Sequence, residues 1–114
     1  MGGMTTEKQR IAIATACGWH GLREDEFGVL IGKRDDSRDF FRVPDFLNDL
    51  NACHEMERAR WIGNLERLHN DADVNREWKE YLARLHYNVH ATAAERSESF
   101  LKTLNLYTES DEQA

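Results

Sequence analysis

The chain has 114 residues, 40% hydrophobic and 32% charged, with one proline; that is room for one domain with a modest core, not a disordered or low-complexity segment. The formal net charge of −6 excludes a basic nucleic-acid footprint over the chain as a whole. No apolar run approaches the ~20 residues that span a bilayer, and the N-terminus lacks a charged-then-apolar leader, so a cytoplasmic protein is expected.

Met1-Gly2-Gly3 ahead of Met4 reads as a cloning remnant or an alternative start and stands outside the fold reading. Thr6 and Gln9 fit a capping box opening a helix over residues 7–17. Ile11, Ala14 and Cys17 share one face of it, and Gly18 is a natural stop. Phe27, Val29 and Ile31 then alternate with Gly28, Leu30 and Gly32, which is strand periodicity. Phe40 to Val43 is a second β-favouring run, and Lys33 to Arg38 between them is a charged loop. The expectation is an antiparallel hairpin, 27–32 paired with 39–43, with Trp19 to Leu22 as a short edge strand.

Pro44 ends the strand because it has no N–H for a ladder, and Asp45 is a good N-cap for the next helix. A bend is expected near residues 58–64, where Gly63 sits. Val74, Trp78, Tyr81, Leu82 and Leu85 have clean helical spacing over 74–86. Thr92 and Glu95 form a capping box for a last helix carrying Phe100, Leu101 and Leu104, after a connector at Asn88 to Ala91. The fold class is α+β: a small antiparallel hairpin or sheet packed against about four helices. A single domain over 4–107 precedes a short acidic tail, 108–114.

No complete catalytic set emerges. Cys17 and Cys53 sit at apolar-face positions and read as free, buried thiols. His86-x-x-x-His90 has metal-ligand spacing, but its helix ends near Tyr87. His20, Cys53 and His54 are the set a small metal-dependent enzyme would use. Asp45 reads as a cap, and Asp49, Glu55 and Glu57 as a solvated face. Neither a metal nor a cofactor is expected.

Binding is the stronger expectation. Lys33, Arg34, Arg38 and Arg42 form a basic strip beside Phe40 and Phe41, interrupted by Asp35, Asp36 and Asp39. That mixed field disfavours nucleic acid, while a small nucleotide needs only one or two well-placed arginines. The expected contact surfaces are the hairpin tip (Arg34, Asp35, Asp36, Arg38) and the stretch from Arg58 to Trp61. An exposed Trp61 beside Arg58 and Arg60 would be an interface anchor. A free sheet edge and spare tryptophans also favour a homo-oligomer.

Three stretches carry a likeness to a known family. They are Gln9 to Trp19, with Ala16-Cys17-Gly18-Trp19; Pro44 to Glu55, with Pro44-Asp45-Phe46-Leu47-Asn48-Asp49; and Ala91 to Leu104, with Ala91-Thr92-Ala93-Ala94. Together they resemble a phage and prophage "alpha-beta-alpha sandwich" domain family of small proteins of unknown function, over most of residues 7–105. The resemblance implies a viral or prophage origin and carries over no active site. The expected function is a phage-encoded accessory protein that binds a host or phage protein without catalysis. Inhibition of a host defence system is one form of it. Sequestration of a small nucleotide is the alternative, ahead of a metal-dependent enzyme.

Overall fold

A computed structural model describes residues 4–34, 36–86 and 90–108. Helix α1 (Thr6–Ala16) leads into strand β1 (Trp19–Glu24), followed by β2 (Leu30–Arg34) and β3 (Phe41–Arg42). Helix α2 (Leu50–Glu57) runs into a π-helical turn (Arg58–Ile62), then α3 (Leu65–Asn70), α4 (Ala72–Arg84) and α5 (Ala93–Thr103). The fold is α+β, with one three-stranded antiparallel sheet in the order β1-β2-β3.

Helix α1 starts one residue earlier than the sequence suggests. The side chain of Thr5, not Thr6, accepts the Lys8 N–H at 3.2 Å. The sheet departs further from expectation. Lys33 and Arg34 are strand residues, not loop, because β1 pairs with them: Trp19 opposes Arg34 and His20 opposes Lys33. Strand β2 therefore lies between two neighbours, and β1 is a full partner rather than a short addition. Phe27 is not in a strand. It sits in the β1–β2 turn, 82% exposed, where the Asp25 carboxylate accepts the N–H groups of Phe27 and Val29 at 2.8 and 2.9 Å.

Asp45 does not cap α2. Its carbonyl accepts from the Asn48 and Asp49 N–H groups, closing a turn, and its carboxylate takes the Asn48 amide. The N-cap is Asp49, whose side chain accepts the Asn51 N–H at 2.9 Å. The bend expected near Gly63 is the π-helical turn, closed by a 2.7 Å bond from the Gly63 N–H to the Arg58 carbonyl. Asp71 caps α4, and the Thr92–Glu95 capping box of α5 is complete in both directions.

One face of the sheet meets the core. Trp19, Leu30 and Val43 are buried there with Ile13 and Ala14 of α1 and Phe46. The Arg10 guanidinium ties α1 to the end of β3, donating to the Val43 carbonyl at 2.7 Å. The helical end of the core is aromatic: the Trp61 ring lies 4.8–5.3 Å from those of Trp78, Tyr81 and Phe100. Trp19 and Trp61 are thus core residues and Trp78 is half-buried, so the tryptophans are not spare surface for an oligomer. A bulge in β1 and the two-residue length of β3 blunt both sheet edges. Among the described residues no helix is long and apolar enough to cross a membrane. The expected connector at 88–89 and the tail from 109 lie outside the described residues.

Candidate functional site

The outer face of the sheet is built by register. Between His20 and Arg23 the β1–β2 pairing slips, so Gly21 and Leu22 together face Gly32. Gly21 takes φ 62°, the left-handed conformation that opens a bulge of this kind. The slip returns Leu22 to the core side and sets Arg23 opposite Ile31, which in turn opposes Arg42. Opposed side chains share a face, so Arg23, Ile31 and Arg42 form one row across all three strands. Lys33 lies two residues along β2, on the same face as Ile31.

Phe40 lies against this row. Its ring centroid is 4.5 Å from the Arg23 guanidinium carbon and 5.0 Å from the Lys33 ammonium. A Cβ on Gly21 would touch both Lys33 and Phe40, at 3.8 and 4.0 Å, so the ring reaches across β2 towards β1. Arg23, Phe40 and Arg42 are exposed, while Ile31 and Lys33 are half-buried. Cation–π contact steadies long side chains that otherwise sample many rotamers. The result is two cations, Arg23 and Lys33, held at one aromatic ring, with the exposed Arg42 beyond Ile31 on the same face, in a chain of net charge −6. Acidic side chains border this face: Asp39 precedes Phe40, and Glu24, Asp25 and Glu26 follow Arg23. At the far end of β1 the Glu24 carboxyl is raised above its usual range, chiefly by a hydrogen bond with Glu7 and by that group's charge.

The hairpin-tip residues fall partly beside this face. Arg34 ends β2 on the opposite side of the sheet, its guanidinium carbon 5.3 Å from the Trp19 ring. Asp36 and Arg38 are exposed in the β2–β3 connection, and Asp35 lies outside the described residues. Arg58 is exposed at the start of the π-helical turn. Trp61 is 1% exposed, so it cannot serve as the surface anchor proposed for the Arg58 stretch. Its indole N–H donates to Glu77 Oε1 at 2.9 Å, and Arg60 holds both Glu77 oxygens at 2.8 and 3.1 Å. This pair borders a cleft of about 460 Å³ with Ala12, Ala16, Leu104 and Leu106, and its two charges answer each other. Lys33 and Arg42 belong to the basic strip legible in the sequence, with Phe40 beside it. Arg23 was missed; the one available signal was Gly21, two residues before it.

The carboxylate expected on a solvated face, Glu57, is 4% exposed. It accepts from the Tyr81 hydroxyl and from Arg96 Nη1 at 2.8 Å, and His54 Nδ1 lies 3.4 Å away. Burial first, then the Glu57 bond, pushes the Tyr81 hydroxyl far above its ordinary range. This network joins α2, α4 and α5 and lies in the core. Both cysteines are free. The Cys53 thiol donates to the Phe46 carbonyl at 2.9 Å, and burial raises it to about 11, which keeps it protonated and unreactive near neutrality. His54 and His20 are exposed while Cys53 is buried, so these three do not form an accessible metal site. His86 follows the end of α4 at φ 55° and His90 lies outside a helix, which removes the shared helical face that their spacing suggested. No group of three or more His, Cys, Asp or Glu side chains among the described residues is placed to hold a metal ion. Compared with known proteins, the chain matches no family model, no curated protein and no solved structure.

Proposed function

We propose that the chain is a small accessory protein of phage or prophage origin that acts by non-enzymatic binding to a host or phage protein. The contact surface is the outer face of its sheet. The observation that carries this is the row Arg23, Ile31, Arg42 with Lys33 and Phe40 beside it, open on one side and backed by the core on the other. A sheet presenting cations, two of them steadied on the Phe40 ring, fits recognition of an acidic surface at reduced ordering cost. The phage origin rests on the likeness carried by Gln9–Trp19, Pro44–Glu55 and Ala91–Leu104. Within that setting, occupying a component of a host defence system is one form the binding takes.

The test is affinity capture from host lysate with the native chain and with a variant carrying Arg23→Glu, Lys33→Glu and Arg42→Glu. A protein retained by the native chain and lost by the variant supports the proposal. A protein retained equally by both moves the contact elsewhere.

A second reading is sequestration of a small nucleotide. It is favoured by the same cations around an aromatic ring, which suit phosphate oxygens. Calorimetric titration with nucleotides separates it from the first: saturable binding lost on Arg23→Glu favours sequestration.

A further inference from the structure

We infer that the outer sheet face takes an extended acidic segment of the partner protein, one in which two carboxylates flank an apolar side chain. This rests on the proposed binding function and names the chemistry of the same face.

The row across the sheet reads cation, apolar, cation: Arg23 on β1, Ile31 on β2, Arg42 on β3. Neighbouring strands lie about 4.8 Å apart, so the two arginine stems rise about 10 Å from each other with Ile31 between them. An extended segment of pattern Glu-x-Leu-x-Glu shows all three named side chains on one face, with about 6.7 Å from each to the next. Its leucine would cover Ile31, and the long arginine stems reach outward to the two carboxylates. Guanidinium binds carboxylate through paired N–H donors, which the two arginines of the row supply twice. Lys33 and the ring of Phe40 extend the surface on the next row, where a second apolar residue of the segment would rest.

The same features speak against a nucleic acid. Single strands bind through bare aromatic faces on which bases stack. Here Phe40 is already engaged by Arg23 and Lys33, at 4.5 and 5.0 Å from its centroid. The centre of the row is an aliphatic side chain. A chain of net charge −6 also repels a long polyphosphate more than a short segment with two or three carboxylates.

Fluorescence anisotropy of a labelled peptide of repeating Glu-Thr-Leu-Thr tests this, against its Lys-for-Glu counterpart and a short oligothymidylate. Expected is binding of the acidic peptide alone, weakening with salt, and loosened about tenfold by Arg23→Glu and by Arg42→Glu. Asp39→Asn, which removes an acidic group next to Phe40, should tighten it. Both arginines are exposed, and circular dichroism with thermal melting checks that the variants fold. Tighter binding of the oligothymidylate overturns the inference, as does peptide binding indifferent to both substitutions, or no binding. If the peptide fails while lysate capture remains sensitive to charge reversal, the binding function stands and this partner chemistry falls. If capture is also insensitive, the face itself is wrong.

Discussion

Arg96 Nη1 lies 2.8 Å from Glu57 Oε2, and both side chains are largely withdrawn from water, 13% and 6% exposed. The pair joins α5 to the end of α2 across 39 residues of sequence, and the Tyr81 hydroxyl from α4 donates to the same carboxylate oxygen. Three helices therefore share one buried charge. Removing one partner strands the other in a low-dielectric site, which costs more than the intact pair contributes.

Arg96→Ala is accordingly expected to destabilise by about 3 kcal/mol, read from urea unfolding. The double variant Arg96→Met with Glu57→Gln should recover part of that loss, since no uncompensated charge is left buried. Equal loss in the single and double variants would show that packing, not charge, dominates at this junction.

Stability should fall on the alkaline side. Burial raises the Cys53 thiol from the ordinary 9.0 to about 11 and Cys17 to about 12, and it raises Tyr81 as well. Each group is neutral when protonated, so the unfolded chain loses these protons first as pH rises. Their contribution is full below about pH 9, the ordinary thiol value, and is lost as pH climbs through about 11. The urea midpoint followed from neutral to alkaline pH should drop over that window, and Cys53→Ala should shallow the slope. A flat profile would mean that the thiols ionise alike in both states.

Gly32 sits on β2 across from the bulge in β1. A Cβ there would lie 2.6 Å from Leu22 Cδ2 and 3.3 Å from the His20 carbonyl oxygen. Gly32→Ala should cost about 1–3 kcal/mol through overpacking against the bulge. It should also weaken partner capture through Arg23, whose place in the row depends on that bulge. Thermal melting with the capture assay checks both.

Trp61→Phe keeps the aromatic packing but deletes the indole N–H bond to Glu77. The expected loss is about 1–3 kcal/mol, because a hydrogen bond to a charged acceptor is given up. Partner capture should be unchanged, since the ring is buried. Capture lost from a fully folded Trp61→Phe protein would bring the Arg58–Trp61 stretch back as a contact surface.

Much of the local structure is legible in the chain, although the caps of α1 and α2 fall at Thr5 and Asp49 and not at Thr6 and Asp45. Thr92 with Glu95 caps α5 as their spacing states, Val74, Trp78, Tyr81 and Leu85 follow one amphipathic helix, and the helix after Leu50 changes hand-hold at Arg58–Gly63. These features depend on residues within about four positions of each other, which is the reach of caps and helical faces. What the tertiary structure decided lies beyond that reach. Glu57 has the neighbours of a solvated carboxylate, and Arg96, 39 residues away, together with the Tyr81 hydroxyl makes its burial tolerable. Arg23 is one charge among several until the bulge at Gly21 and two strand pairings carry it into line with Ile31 and Arg42. The caps and helical faces come from short-range sterics and hydrogen bonds; the binding face comes from long-range register, which no local window contains.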